Sequence, residues 1–510
     1  MGMGFEGDSS VIKVSLSQFY GIEINDFAVS VAKTALWIAE SQMMEATQEI
    51  LMSVLDFLPL KSNSSIVEGN ALRMDWNGVL RASDCSYVVG NPPFLGHQDM
   101  SSEQHREMDE VLANCKKHGK LDYVAGWYAK AKDYISDNDI NVAFVSTNSI
   151  TQGEQVSILW DYLFDEGIRI NFAYRTFVWN SEALDKAHVH CVIIGFSNHD
   201  AMLKTIYSHD AQEHPRQING YLYPGSLVSV ASRQKNINPA LAAKKLVKGS
   251  QPTDGGNLLF SKEEGDAFLE RYPELADVIR KYVGADEFIN GKYRYCLWLK
   301  DVPKERYENN PEIMGRLAAV RRLRECSPTA SVRRDADKPE LFTQIRQPDS
   351  DYLLFPRHSS GTREYLPIGF VSSNIIASDA ASFIPNADLY LFGVLSSRMH
   401  NAWMRVVCGR LKSDYRYSPA VYNSFAFPDA SSEDIEIINE LASAVLSARA
   451  NHNGATLGEL YDPAYMPEDL RFAHAALDQA VERAYGEDFG GSEERMVSHL
   501  FSLYSKALSK

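Results

Sequence analysis

The sequence has few cysteines and no long apolar run. Its six cysteines are scattered, and no two of them form a Cys-x-x-Cys pair, so neither a zinc site nor a disulfide framework is expected. No stretch reaches the roughly 18 consecutive apolar residues that a membrane helix needs, and residues 1–17 lack the apolar segment of a signal peptide. These features argue against membrane and secreted proteins, and they predict a protein of the reduced cytoplasm.

Positive charge is also scarce. The chain of 510 residues carries 51 Lys and Arg against 67 Asp and Glu, a net charge of −16, which by itself disfavours binding to a polyanion. The charge is unevenly distributed, because residues 300–420 hold 18 Lys and Arg against 14 Asp and Glu, a net of +4. If the chain binds nucleic acid, this region is where the sequence predicts the contacts.

One short stretch carries the clearest chemical signal. The apolar strand Val88-Val89-Gly90 runs directly into Asn91-Pro92-Pro93-Phe94. Two successive prolines make a stiff turn at the carboxyl edge of a predicted sheet, where open α/β sheets bind ligands. The Asn91 side-chain oxygen and the Pro92 carbonyl can accept hydrogen bonds from an exocyclic amino group, freeing its lone pair to attack a sulfonium methyl. Phe94 can stack on a flipped base. The alternative is a rigid structural turn.

Polar residues follow two predicted strands upstream of this turn. Glu23 ends the strand in Gln18–Asn25, and an acid at that position of a Rossmann-like sheet commonly holds ribose hydroxyls. Asn70 follows the strand that begins at Ile66, and its amide could contact the adenine of a cofactor, with Asp75 serving the same pocket. The alternatives are a solvated acid at a strand end for Glu23 and an ordinary helix cap for Asp75.

Strands and helices alternate through residue 200. Downstream of the turn, the apolar pattern predicts a helix from 120 to about 135, a strand over 140–147, a helix around 158–163, and two further strands over 168–174 and 189–196. This order predicts an α/β fold with a Rossmann-like, mainly parallel sheet covered by helices on both faces. Phe177 and Trp179 follow one of these strands, and either could form the second wall of a base pocket or be a core aromatic.

Two arginine clusters lie in the basic region. The first consists of Arg316, Arg321, Arg322, Arg324, Arg333 and Arg334, and it predicts either nucleic-acid contacts or the solvated face of a helix. The second interleaves cations with aromatic residues and predicts nucleic-acid binding, because arginine can hold phosphates and read guanine edges. Its members are Arg398, Arg405, Arg410, Lys412, Tyr415 and Arg416.

The pattern predicts four parts of the chain. Residues 1–200 form the α/β domain and residues 201–255 a connector rich in Asn, Pro and Gly. Residues 256–430 mix short strands with helices, which predicts an α+β domain. Residues 431–510 form a helical region.

Several phrases together resemble a known family. They include "QFYGIEIN", "VVGNPPFLGHQ", "AHVHCVIIGF", "TDGGNLLFS", "GRLKSDYRYS" and "YNSFAFP". The chain resembles the gamma class of adenine-N6 DNA methyltransferases, and most of all the methyltransferase and target-recognition part of MmeI-like (type IIL) restriction–modification enzymes. The resemblance implies S-adenosyl-L-methionine as methyl donor, adenine in double-stranded DNA as acceptor, and a target-recognition domain over 256–430. It implies Asn91–Phe94 as the catalytic motif, Glu23 as the ribose-binding acid, and Asn70 at a position that is often Asp in relatives.

One expected motif of this family is missing from the sequence. The glycine loop that wraps the methionine part of the cofactor should precede "QFYGIEIN", and the glycines among residues 1–7 do not fit it. The nuclease cluster of relatives is absent as well. We therefore expect an N-terminally incomplete methyltransferase domain. It could be a truncated reading frame, an expressed fragment, or one half of a split enzyme whose companion polypeptide carries the glycine loop and the nuclease.

The sequence thus predicts site-specific adenine methylation of DNA in a restriction–modification or related defence system, without a metal or a covalent intermediate. Three alternatives remain open at this point. The same fold could act on RNA or on a protein glutamine. The chain could be a DNA-specificity fragment without catalysis. It could also be part of a complete restriction enzyme.

Overall fold

The computed structural model describes residues 14–51, 65–179, 189–208, 211–230, 236–411 and 414–509. The chain divides into two compact units. One consists of Met1–Ile150 with Ile158–Ile218, and the other of Thr151–Ser157 with Asn219–Lys510. The first unit therefore extends beyond residue 200, into the predicted connector.

The first unit alternates strands with helices. Its strands are β1 (Gly21–Glu23), β2 (Ile66–Glu68), β3 (Tyr87–Gly90), β4 (Asn141–Thr147), β5 (Arg169–Trp179), β6 (Val189–Ser197), β7 (Thr205–Tyr207) and β8 (Gln212–Glu213). Its helices are α1 (Asp26–Leu51), α2 (Ser102–Val111), α3 (Ala125–Tyr134) and α4 (Gly153–Asp165), the last of which has its first residues in the second unit.

These strands form two sheets. β1 pairs with β2 in parallel, and a six-stranded sheet has the order β3-β4-β6-β5-β7-β8. β3 runs parallel to β4, whereas β6 runs antiparallel to both β4 and β5. It follows that β3, β4 and β5 point in the same direction, so their carboxyl ends lie along one edge of the sheet.

The predicted α/β class is confirmed, but this sheet is mixed rather than mainly parallel. The difference arises at β5 and β6, which form an antiparallel pair. β5 ends at Trp179 and β6 begins at Val189, and a parallel crossover needs a connection of about a dozen residues or more. The connection between them is too short to carry the chain back across the sheet, so β6 returns alongside β5.

Four buried aromatic side chains pack on this sheet. Tyr128 of α3 lies between Phe144 of β4 and Phe196 of β6, with ring centroids 5.3 and 5.2 Å away, and it also contacts Trp160 of α4 at 5.7 Å. All four side chains are almost completely removed from solvent. Burial of this much aromatic surface stabilises the central strands and so fixes the strand ends at which the candidate site lies.

The second unit is an α+β assembly followed by helices. Its strands are β9 (Val247–Lys248), β10 (Leu259–Phe260), β11 (Ile279–Val283), β12 (Arg294–Leu297), β13 (Tyr352–Pro356), β14 (His358–Ser359), β15 (Gly369–Val371), β16 (Ile376–Ala377), β17 (Ala381–Pro385), β18 (Gly409–Leu411) and β19 (Asp414–Arg416). Its helices are α5 (Lys262–Arg271), α6 (Ala285–Ile289), α7 (Pro311–Glu325), α8 (Ala330–Arg334), α9 (Leu389–Ser396), α10 (Arg398–Val407), α11 (Pro419–Ser424), α12 (Ser432–Asn451), α13 (Leu457–Leu460), α14 (Glu468–Ala484) and α15 (Glu493–Leu508).

Three small sheets organise this unit. Their strand orders are β10-β12-β11-β16, β15-β13-β17-β9 and β14-β19-β18. The predicted combination of an α+β region with a helical C-terminal region is confirmed, since helices α12 to α15 make up the end of the chain. Among the described residues, no helix is both long and apolar enough to cross a membrane.

Candidate functional site

The Asn91–Phe94 turn leaves β3 at the carboxyl edge of the six-stranded sheet. Gly90 pairs with Phe144 of β4, and a Cβ atom at Gly90 would lie 3.2 Å from the Phe144 ring, so the strand end favours glycine. Pro92 is buried, Phe94 is half-buried, and Asn91 is exposed. Within the part of the chain that the structure describes, the Asn91 amide makes no hydrogen bond. The turn is thus anchored by a buried proline and leaves the Asn91 amide exposed at the edge of the sheet.

Asp122 and Tyr123, which lie just before α3, hold residues 95–97 through hydrogen bonds. The Tyr123 backbone N–H donates to the Leu95 carbonyl at 3.0 Å, and the His97 N–H donates to Asp122 Oδ1 at 3.1 Å. The second carboxylate oxygen of Asp122 accepts from the Ser149 hydroxyl at 2.5 Å. No sequence pattern marks Asp122 as part of the site, because an acid just before a helix resembles an ordinary helix start.

The three predicted cofactor-binding residues differ in how many hydrogen bonds their side chains already make within the protein. Glu23 ends β1, is half-buried, and its Oε1 accepts the backbone N–H of Ile24 at 2.9 Å. Asn70 follows β2, but its Oδ1 accepts from the Leu72 N–H and its Nδ2 donates to Glu107, both at 2.9 Å. Asp75 accepts from the Asn77 N–H at 3.0 Å and caps a short helical turn. Glu23 therefore keeps more hydrogen-bonding capacity for a ligand than Asn70 does.

Glu107 of α2 is a buried acid that connects Asn70, Arg73 and Tyr123. Only 4% of this acid is exposed, and it accepts hydrogen bonds from Asn70 Nδ2, from Arg73 Nε at 2.7 Å and from the Tyr123 hydroxyl. Burial and the hydrogen bond to Glu107 raise the pKa of Tyr123 well above its ordinary value. The phenol therefore stays protonated and donates to the carboxylate. Since Glu107 comes from a helix distant in sequence, no local pattern marks it.

Phe177 and Trp179 lie close together at the end of β5. Their ring centroids are 6.2 Å apart, Phe177 is half-buried, and Trp179 is 40% exposed. Because β5 runs in the same direction as β3, these rings and the Asn91 turn belong to the same edge of the sheet.

The second arginine cluster divides between a sheet and a helix. In the sheet the arginines face solvent, whereas the predicted contact Tyr415 is buried. Arg410 of β18 is exposed, stacks over the ring of Tyr415 at 4.3 Å, and donates to its hydroxyl at 3.0 Å. Arg416 of β19 is also exposed, and it lies opposite His358 of β14. Burial lowers the pKa of His358, and the charges of Arg357 and Arg416 lower it further. The small sheet therefore carries a concentration of positive charge. Lys412 lies outside the described residues.

The two arginines of this cluster that lie on α10, Arg398 and Arg405, form ion pairs. Arg398 of α10 lies 3.4 Å from Asp478 and 3.9 Å from Glu482, both on α14. Arg405 of α10 pairs with Glu493 of α15, with Nε and Oε2 3.1 Å apart. Both arginines therefore serve contacts within the second unit.

The first arginine cluster includes one residue that cannot reach a ligand. Arg324 of α7 is completely buried and donates five hydrogen bonds to backbone carbonyls. The acceptors are Pro252, Thr253, Asp335, Lys338 and Leu341, at distances of 2.7 to 3.1 Å. Arg324 thus organises the loops around α7, while Arg321 and Arg322 on the same helix remain exposed.

Comparison with known proteins gives a consistent result over nearly the whole chain. Three family models match it: "MmeI, DNA-methyltransferase domain" at residues 4–208, "MmeI, target recognition domain" at 224–429, and "MmeI, C-terminal domain" at 428–510. DNA methyltransferase A of Bacillus subtilis (strain 168) is 41% identical over 501 residues, which cover 97% of this chain. The chain spans 56% of the length of that relative.

A solved structure is similar to the same extent. The type IIL restriction–modification enzyme MmeI, determined in complex with DNA, matches with a TM-score of 0.82 and 42% identity. The match covers 98% of this chain and 68% of that one. Fold, sequence and domain order therefore agree.

Proposed function

Because the chain belongs to the MmeI family, we propose that it is the methyltransferase and specificity part of a site-specific DNA methyltransferase. Its proposed reaction is transfer of a methyl group from S-adenosyl-L-methionine to N6 of an adenine that is flipped out of the duplex. The observation that carries the proposal is the exposed Asn91 amide, presented by a diproline turn at the carboxyl edge of the sheet.

The residues of the turn have separate roles in this mechanism. The adenine amino group is a weak nucleophile because its lone pair is conjugated with the ring. Asn91 Oδ1 and the Pro92 carbonyl accept its two N–H groups, and these hydrogen bonds strengthen as the nitrogen becomes tetrahedral. Phe94 stacks on the base and fixes its plane. Catalysis rests on positioning, and no group of the turn forms a covalent bond to the substrate.

The donor supplies an electrophilic methyl group on a sulfonium when it is bound. Glu23 fits the role of holding its ribose hydroxyls, because its carboxylate ends β1 and is only half-buried. Asn70 fits an adenine contact less well, since both polar atoms of its amide already have protein partners.

Double-stranded DNA is the proposed partner of the second unit. Arg410, Lys412 and Arg416 are the proposed contacts, and the exposed arginines of β18 and β19 support them. Tyr415 is assigned no DNA contact, because its ring is buried beneath the Arg410 guanidinium. Arginine is suited to holding phosphates and to reading guanine in the major groove. We assign no DNA contact to Arg398 and Arg405, because their guanidinium groups neutralise acids of α14 and α15.

A second candidate function is that of one half of a split enzyme, and the surface of the first unit favours it. Apolar side chains of β3 and α1 are unusually exposed: Tyr87 by 74%, Val89 by 79%, Phe27 by 73%, Val31 by 50% and Ile38 by 52%. Exposed apolar side chains are typical of surfaces that contact another polypeptide. We propose that a companion polypeptide carrying the cofactor-binding glycine loop contacts these side chains.

The central test is methyl transfer to duplex DNA from donor labelled in the methyl group. We expect label at adenine N6 only, and we expect Asn91→Ala to lower kcat by about a thousandfold while DNA affinity stays within about twofold. The matched control is Asn114→Ala, which removes an exposed amide that follows α2. Full activity of the Asn91 variant would remove this residue from the mechanism, and label in RNA or protein would overturn the substrate assignment.

Calorimetric titration of the donor separates the two candidates. Binding to this chain alone supports a self-sufficient methyltransferase. Binding only in the presence of the protein encoded immediately upstream supports a split enzyme. Absence of binding in both cases would overturn the enzymatic proposal in favour of a DNA-specificity fragment.

A further inference from the structure

The segment after the catalytic turn is fixed at two points on either side of Gly96. The Leu95 carbonyl accepts the Tyr123 N–H at 3.0 Å, and the His97 N–H donates to Asp122 Oδ1 at 3.1 Å. Since residues 95–97 follow Phe94 directly, these contacts limit where Phe94 and Asn91 can lie. The turn itself contributes rigidity through its prolines, but rigidity alone does not set its direction.

Asp122 joins this segment to the neighbouring strand. Its exposed fraction is 8%, and its Oδ2 accepts from the Ser149 hydroxyl at 2.5 Å. Ser149 in turn lies 2.8 Å from the Thr147 hydroxyl at the end of β4. One buried carboxylate therefore connects the chain that leaves β3 with the chain that leaves β4.

The residue next to Asp122 is held just as firmly. The Tyr123 hydroxyl donates to the buried carboxylate of Glu107, and its ring packs edge-on against Trp127 with centroids 5.2 Å apart. The 122–123 pair is therefore a fixed support rather than a mobile loop. A buried carboxylate costs desolvation energy and is tolerated only when hydrogen bonds satisfy it, as they do here for both oxygens of Asp122.

We infer that Asp122 is a positioning residue for methyl transfer. Its carboxylate holds the His97 N–H and the Ser149 hydroxyl together, and so sets the orientation in which Asn91 and Phe94 meet the flipped base. This inference rests on the proposed function, because it assumes that the Asn91 turn is catalytic. Asp122 touches neither substrate nor donor in this role. It acts only through the turn.

A pair of substitutions tests this role. Asp122→Ala removes both acceptor oxygens, so we expect kcat to fall about a hundredfold with the KM values for DNA and donor within about threefold. Asp122→Asn keeps an acceptor for the His97 N–H and can donate to the Ser149 hydroxyl. We therefore expect it to restore kcat to within about tenfold of the original. Asp99→Ala, which removes an exposed acid just beyond the turn, is the control.

Hydrogen exchange provides a readout that does not depend on methyl transfer. We expect the His97 amide to exchange at least about tenfold faster in Asp122→Ala than in the parent chain, because its acceptor is gone, and to stay protected in Asp122→Asn. If the alanine variant does not fold, Ser149→Ala serves instead, with a smaller loss of kcat in the same direction.

The two proposals fail in different ways. A parent chain without methyl transfer would contradict the proposed function, while faster His97 exchange in Asp122→Ala would still show that Asp122 holds the turn. Unchanged exchange, or unchanged kcat in Asp122→Ala beside an active parent, would overturn the role of Asp122. Equal loss of kcat in the alanine and asparagine variants with parallel loss of thermal stability would also overturn it, in favour of a general structural role.

Discussion

The Asn91–Phe94 turn and the second arginine cluster were both predicted from sequence as functional sites, and the structure places their side chains in different surroundings. At the turn, the selected amide of Asn91 is exposed, while the buried residues that hold the turn come from elsewhere in the chain. In the arginine cluster, the selected side chains divide between a solvent-facing sheet and a helix that uses them for ion pairs. In this chain, the motif with a rigid backbone therefore predicted side-chain position better than the concentration of charge did.

The contrast has a physical cause in the two kinds of residue. Prolines fix the backbone, so a short side chain such as Asn91 has little choice of direction. Arginine has a long flexible side chain that can bury its stem and turn its charge toward any acid within reach. Helix α10 buries eight of its ten residues, and its two remaining residues, Arg398 and Arg405, meet acids of neighbouring helices.

The largest expected effect is on stability, and it tests the difference between the ion-paired arginines of α10 and the exposed arginines of the small sheet. Replacing Arg398 by Met leaves Asp478 buried without its cation, and we expect the free energy of unfolding of the second unit to fall by about 2–4 kcal/mol. The measurement is urea unfolding, with Arg416→Met as the matched control. The control should change stability by less than about 0.5 kcal/mol, because Arg416 is exposed. Equal losses in both variants would abolish the distinction between the helix and the sheet.

Asp478, the acid that pairs with Arg398, makes the stability of the second unit depend on pH. Burial raises the pKa of Asp478 to about 6. The charge of Arg398 opposes this shift, and so do the hydrogen bonds that the Arg398 backbone N–H and the Tyr365 hydroxyl donate to Asp478. A raised pKa means that the folded state holds the proton more tightly than the unfolded state does. Stability from this group is therefore complete below the unfolded pKa and is lost as the pH rises through about 6.

The variant Asp478→Asn removes this titration and keeps an acceptor for its neighbours. We expect its stability relative to the parent chain to increase by up to ~3 kcal/mol between pH 4 and pH 8. Unfolding measured at both pH values in both proteins checks this, since all other titrating groups are common to the pair. A stability difference that does not vary with pH would mean that Arg398 compensates fully for the burial of Asp478.

The sequence predicted the elements of the site better than it predicted their connections. The apolar runs and the Asn-Pro-Pro-Phe turn are local, and a local pattern marked the strand end that carries Asn91. The antiparallel return of β6 depends on the length of the chain after Trp179, which the alternation of strands and helices does not encode. Asp122 and Glu107 act through partners at least 16 positions away, so only a folded chain reveals them.

The first arginine cluster also shows that burial is hard to predict from local sequence. Arg321, Arg322 and Arg324 are neighbours in sequence and chemically identical, yet Arg324 is completely buried. The helix period separates them onto different faces, and the carbonyls that receive Arg324 come from two separate loops. A count of charges cannot tell the buried arginine from the exposed ones. The apolar face of α7 (Ile313, Leu317, Val320) can, because Arg324 lies on that face.

The smallest expected effect concerns DNA binding by the exposed sheet. Within the described residues, the Arg416 guanidinium has no hydrogen-bond or ion-pair partner, so it is available to a phosphate or a base. We expect Arg416→Ala to weaken binding to duplex DNA by about tenfold and to reduce the slope of log affinity against log salt by about one. Fluorescence anisotropy across a salt series measures both quantities. Arg405→Ala is the comparison, since the Arg405 charge is already paired with Glu493. If the salt slope changed in the Arg405 variant and not in the Arg416 variant, the helix rather than the sheet would face the DNA.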